Sequence, residues 1–122
     1  MHDVAPPLVS VVMPVRDARQ FLREAIDSIL EQTFSDFELL LIDDFSQDDS
    51  AAICQSYCAA DSRVVLLHNT ERGIIGALNF GIAHARGKLI ARMDADDICE
   101  PDRFARQVRE FERNPAIAVL GT

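Results

Sequence analysis

Three carboxylates fall within four residues at Asp94-Ala95-Asp96-Asp97, directly after the short apolar run Leu89-Ile90-Ala91-Arg92-Met93. A run of this kind bounded by polar residues reads as a buried strand. Its acids then stand just past a strand's carboxyl end, where open α/β sheets bind their ligands. Carboxylates one residue apart repel each other, and a divalent cation is the partner that relieves this. A helix start is the competing reading. Asp97, Glu100 and Asp102 flank Pro101 ahead of an amphipathic run, and acids there favour the helix dipole. That alternative suits Asp97, Glu100 and Asp102 and accounts poorly for Asp94 and Asp96.

Two more polar clusters follow apolar runs: Pro14-Val15-Arg16-Asp17 and Asp43-Asp44-Phe45-Ser46. In a doubly wound sheet all three clusters share one carboxyl edge. A rim of that composition suits a ligand with a hydrogen-bonding ring, a ribose and phosphates. Phosphate does not approach carboxylates unaided, so a metal must bridge them. Each cluster also has a structural reading. Asp43 and Asp44 with Ser46 can form an Asx-type turn into the next helix. Asp17 is read as a cap on the first helix, and Arg16 as a solvated loop charge. Gly73, Gly76, Gly81 and Gly87 match no phosphate-loop signature and are read as turn and packing glycines. His68 and His84 are read as strand-end and helix-surface residues, and no Ser-His-Asp or Cys-His arrangement emerges.

The elements that must carry these clusters alternate. Strands are predicted at Leu8 to Met13, ended by Pro14 because proline cannot donate to a ladder, and at Phe37 to Ile42, Val64 to His68, Leu89 to Met93 and Ile117 to Leu120. Helices are predicted over about Ala18 to Gln32, Asp48 to Ala60, Ile75 to Ala85 (with Arg86 and Gly87 as its C-cap) and Pro101 to Arg113, where Phe104, Val108 and Phe111 share a face. Strands and helices alternating at this spacing give βαβ units, a mainly parallel sheet and helices on both faces. Residues 1–7 read as a flexible lead-in and residues 8–122 as a single domain. The 122 residues suffice for one core, not two. A formal charge of −8 disfavours an extended nucleic-acid surface. Three cysteines without a Cys-x-x-Cys pair indicate a reduced, cytoplasmic-type chain. No apolar run approaches the length of a membrane span.

Five landmarks in order resemble the nucleotide-binding half of the inverting, GT-A-fold glycosyltransferases of family 2. They are Val9-Ser10-Val11-Val12-Met13-Pro14, Ser28-Ile29-Leu30-Glu31-Gln32-Thr33, Phe37 through Ser46, Leu78-Asn79-Phe80-Gly81-Ile82-Ala83-His84-Ala85-Arg86-Gly87, and Arg92-Met93-Asp94-Ala95-Asp96-Asp97. The resemblance implies a Rossmann-like GT-A sheet and transfer of a sugar from a nucleotide diphosphate donor with Mg²⁺ or Mn²⁺. By position it implies nucleotide contacts at Pro14, Val15, Arg16, Asp44, Asn79, Asp94 and Ala95. Asp44 would accept from the base, typically uracil of UDP. Asp94 and Asp96 would be the metal residues, with Asp94 near the ribose or a metal-bound water. The acceptor would be a carbohydrate or lipid-linked hydroxyl, as in cell-wall or polysaccharide synthesis, at the cytoplasmic face of the membrane in the full-length protein.

The family's catalytic base and acceptor half lie well downstream of the Asp-x-Asp run. The base is therefore expected beyond Thr122, since Asp97 sits too close to the metal acids. The chain is expected to bind donor and metal yet to be catalytically incomplete, ending soon after a fifth strand whose edge near Val119 invites pairing with another copy. A non-catalytic nucleotide- or metal-binding module is the alternative from a different class. A dinucleotide-dependent oxidoreductase is disfavoured, because Pro-Val-Arg-Asp stands where Gly-x-Gly-x-x-Gly would follow the first strand. A receiver domain lacks its phosphoacceptor and lysine positions, and an aspartyl phosphatase would carry its acid pair after the first strand.

Overall fold

A computed structural model describes residues 5–113 and 119–120. The described elements are β1 (Val9–Val15), α1 (Arg19–Leu30), β2 (Phe37–Asp43), α2 (Ser50–Ala60), β3 (Val64–His68), α3 (Ile74–His84), β4 (Leu89–Arg92), α4 (Arg103–Arg113) and β5 (Val119–Leu120). The sheet has five strands in the order β3-β2-β1-β4-β5, and each described pairing is parallel. The expected alternation and sheet type are therefore present. Ile117 and Ala118 of the expected fifth strand lie outside the described residues, as do Met1 to Val4 of the lead-in.

The strands are apolar on both faces because each face is covered. On one face Val9, Val11, Met13 and Val15 pack with Leu22, Ala25, Ile26 and Ile29 of α1, Ile53 and Cys54 of α2, and Phe104 and Val108 of α4. Phe104 meets Phe37 edge-on, with ring centroids 5.8 Å apart. On the other face Val12, Leu40 and Ile42 pack with Ala77 of α3. Helices cover both faces, three against one.

Pro14 does not end β1. It pairs in register with Ile42, and Val15 with Asp43. Successive residues of β1 address opposite neighbours: the Val12 carbonyl accepts from Met93 N, and the Val15 carbonyl from Asp44 N. Pro14 thus turns its missing N–H toward the β4 side, and β4 has already finished at Arg92. No ladder bond is lost, so the proline is tolerated there.

Gly87 is likewise not a left-handed C-cap. Its amide donates to Ser10 Oγ at 2.8 Å, and a Cβ at this position would stand 2.7 Å from Ser10 N. Glycine is needed for backbone contact with β1. The same Ser10 hydroxyl donates to buried Glu38 at 2.6 Å. Glu38 also accepts from Arg86 N at 2.8 Å and Arg86 Nε at 3.1 Å. This network ties the α3–β4 connection to the amino edge of the sheet, away from the acidic strand ends.

Candidate active site

Strand order reverses at β1: β2 and β3 lie to one side, β4 and β5 to the other. The carboxyl ends of β1 and β4 therefore flank the switch point, where doubly wound sheets open a crevice. A cleft of about 300 Å³ lies there, lined by Pro14, Arg16, Asp17, Ala18, Phe21, Ala95 and Asp96. Residues drawn from two segments about eighty positions apart thus meet at one place.

Asp94, Asp96 and Asp97 each offer a carboxylate oxygen within 4.8 Å of the others. Asp97 N closes the turn onto the Asp94 carbonyl at 3.1 Å. The assignment of Asp97 to a helix start is corrected here. The helix begins at Arg103, and Asp102 accepts its first-turn amide from Arg106. Asp97 instead turns back toward the two acids before it. Arg92 sits 3.4 Å from Asp94 and offsets part of the charge. Three clustered, solvent-accessible carboxylate oxygens are a hard donor set, which fits Mg²⁺ or Mn²⁺ better than a soft metal.

The loops after β1 and β2 are clasped to each other. Asp17 was expected to cap its own helix. Its Oδ1 accepts instead from Gln47 N at 2.6 Å and Asp48 N at 3.3 Å. In return, Ser46 Oγ accepts from Asp17 N at 3.1 Å, Ser50 Oγ from Ala18 N at 2.9 Å, and Asp48 Oδ2 from Arg19 N at 3.3 Å. The Ala18 and Arg19 amides at the start of α1 are thus met by Ser50 and Asp48, and the Gln47 and Asp48 amides ahead of α2 by Asp17. Hydrogen bonding from Ser50 holds the Asp48 carboxyl below the usual carboxylate range. Asp17 and Phe45 both adopt left-handed backbone, with φ of 46° and 58°. Aspartate tolerates this region; an aromatic residue seldom does, and such strain concentrates at functional sites.

Asp44 is 3% exposed. Its Oδ1 accepts from Asn69 Nδ2 and from Gly73 N, each at 3.0 Å. Gly73 holds φ of 115°, a backbone that favours glycine, and opens α3. The Asx-type turn belongs to Asp43, whose Oδ1 accepts from Ser46 N at 3.4 Å. The Arg72 guanidinium lies 4.9 Å over the Phe45 ring.

The remaining expected contacts divide. Pro14, Arg16, Ala95 and Asp96 share the cleft. Val15 differs: its side chain is fully buried in the core and its carbonyl accepts from Asp44 N, so it is held by β2 rather than turned to the cleft. Asn79 is exposed in the middle of α3, about 9 Å along the helix from Gly73. No hydrogen bond among the described residues joins it to Asp44 or to the acids. Sequence missed Asp97 as a third member of the cluster and Asp17 as the clasp between loops. The first was legible as three acids in four residues; the second was not.

The protein is thus a doubly wound α/β domain with clustered acids at its switch point. The chain belongs to glycosyl transferase family 2, whose model matches residues 10–122. It is 39% identical over 108 residues to the uncharacterized glycosyltransferase EpsJ of Bacillus subtilis, covering 88% of this chain and 31% of that protein. Residues 1–349 of Staphylococcus aureus TarS superpose with a TM-score of 0.80 at 20% identity, covering 88% of this chain and 33% of that one. The mannosyltransferase PcManGT of Pyrobaculum calidifontis, in complex with GDP-Man and Mn²⁺, gives 0.79 at 27% identity, covering 87% and 32%. The fold is thus GT-A. The chain spans about a third of the length of these relatives. No helix among the described residues is long and apolar enough to cross a membrane.

Proposed function

We propose that this chain is the donor-binding part of a sugar transferase, taking a nucleotide diphosphate sugar into the cleft between the ends of β1 and β4. The observation that carries the reading is the convergence of Asp94, Asp96 and Asp97 beside the loop of Pro14 and Arg16. The acids would hold Mg²⁺ or Mn²⁺, with Asp94 and Asp96 as the principal ligands and Asp97 as a third carboxylate within reach. A bound divalent ion supplies Lewis acidity at the leaving diphosphate. Arg16 adds a positive charge on the cleft wall. Pro14 presents a rigid surface for the base, and Asp44 provides an acceptor for a ring N–H at the floor of the neighbouring strand end. Ala95, between the ligands, keeps the rim small enough for ribose to approach.

Support for the donor class comes from family membership and from PcManGT, which holds GDP-Man and Mn²⁺. Uracil is the base that the family resemblance implies, and guanine is the one in PcManGT. For the full-length protein the reading extends to attack by a carbohydrate or lipid-linked hydroxyl with inversion, on the cytoplasmic side. The three cysteines, all free, accord with a reducing compartment.

Calorimetric titration of the chain with UDP and with GDP, each with and without Mn²⁺, tests the proposal. Metal-dependent binding of one nucleotide, abolished by Asp96→Asn in a folded variant, is the expected result. Absence of binding to either, with circular dichroism unchanged, would refute it.

A further inference from the structure

We infer that Gln32, with Ser28, is a positioning residue for the acid-bearing turn Asp94–Asp97; the inference rests on the metal-binding reading above and adds the residues that set where the acids stand. Ser28 to Thr33 is one of the chain's landmarks, yet none of these residues lines the cleft. Their polar groups are spent elsewhere. Gln32 is 6% exposed. Its Nε2 donates to the Glu100 carbonyl at 2.6 Å and the Ser28 carbonyl at 3.2 Å, and its Oε1 accepts from Phe104 N at 3.1 Å. Ser28 Oγ accepts from Cys99 N at 2.9 Å, and Thr33 N donates to the Pro101 carbonyl at 2.8 Å. One helix end therefore holds four backbone groups of the segment that leaves the acids.

The other end of that segment is equally fixed. Met93 is fully buried, and its amide donates to the Val12 carbonyl at 3.0 Å. Only residues 94–98 lie between the two anchors, and these carry all three acids. Asp96 and Phe21 line the same cleft, next to the start of α1. Between the anchors lies one short turn, closed by Asp97 N on the Asp94 carbonyl at 3.1 Å, so a shift at Gln32 and Ser28 is passed along the five residues to Asp96 and Asp97. A buried glutamine with its amide satisfied on both sides also resists rearrangement, because any move leaves polar groups unpaired.

The test measures Mn²⁺ alone binding to the full chain, by the electron paramagnetic resonance signal of free ion, well below each variant's melting temperature. Gln32→Met keeps the volume and removes both hydrogen-bonding functions; Ser28→Ala removes one acceptor; Asp96→Asn is the reference for a lost ligand. The expected result is wild-type binding, loss in Asp96→Asn, and Mn²⁺ affinity weakened roughly tenfold in Gln32→Met, the lower end for residues that orient metal ligands. A smaller weakening is expected in Ser28→Ala, with circular dichroism unchanged in both. Folded variants that bind Mn²⁺ as wild type does would overturn the positioning role and leave the metal site standing. A wild-type chain that binds no Mn²⁺ would overturn both. Should Gln32→Met fail to fold, Ser28→Ala decides the matter by the same reading.

Discussion

Asp44 is asked to do two things that separate on substitution. It anchors the segment leading into α3, through Asn69 Nδ2 and Gly73 N at 3.0 Å each and a second contact from Gly73 N to Oδ2 at 3.2 Å. It is also the proposed acceptor for the nucleobase. Asp44→Ala removes both bonds. Asn69 Nδ2 retains the carbonyls of Glu71 and Gly73, so the heavier loss is at the Gly73 amide. Hydrogen bonds to a charged group contribute about 1.5–3 kcal/mol each, and with one of two partly compensated the chain loses about 2–4 kcal/mol. Asp44→Asn keeps one carbonyl oxygen for the same donors and costs about 1 kcal/mol. Its amide then presents N–H where the base presents N–H. Loss of that charged acceptor weakens nucleotide binding by about 1.5–3 kcal/mol, roughly 10- to 150-fold. Urea unfolding followed by circular dichroism reads the first effect, and calorimetric titration with UDP and Mn²⁺ reads the second. Wild-type nucleotide affinity in Asp44→Asn would refute the base-acceptor role. Wild-type stability in Asp44→Ala would refute the anchor.

Gly87→Ala would drive a Cβ to 2.7 Å from the Ser10 amide, and backbone cannot yield as a side-chain tip does. A loss of about 2–3 kcal/mol is expected in urea unfolding, in the range of overpacked cores, and a loss under 0.5 kcal/mol would refute the close approach. Burial, the largest cause, pushes the Cys54 thiol up to about 12. Cys54 should therefore resist disulfide reagents at pH 8 until the chain unfolds, and rapid labelling of the native chain at Cys54, located by mass spectrometry, would contradict this. Hydrogen bonding from Arg63 holds the Asp61 carboxyl below its ordinary value of 3.8. A depressed folded value means the stabilisation is present above pH 3.8 and disappears as pH falls through the lower folded value. Asp61→Asn should accordingly trail wild type in thermal stability at pH 7 and converge with it in acid; a gap independent of pH would count against the ion pair.

Much of the fold was legible along the chain. The β-branched run from Leu8 to Met13 and the run from Phe37 to Ile42 read as strands, and the structure buries both. Phe21, Leu22, Ala25, Ile26, Ile29 and Leu30 recur at helical spacing, and α1 buries Leu22, Ala25, Ile26 and Ile29 of them, while Phe21 stays exposed at the cleft. The boundaries moved where a partner decided them. Pro14 stayed in β1 because β4 ends early beside it, which no property of Pro14 announces.

The order of elements, the parallel sheet and the placing of acids at strand ends follow from periodicity and apolar runs, which are local properties that survive any global arrangement. Which groups those polar residues meet is a matter of long-range packing. Asp17 closes onto Gln47, 30 residues away, Asp44 onto Gly73, 29 away, and Gln32 onto Phe104, 72 away. A short polar side chain can satisfy many donors of like geometry. The one it takes is set by where the chain crosses itself, and the crossings are set by the helices packed on the sheet.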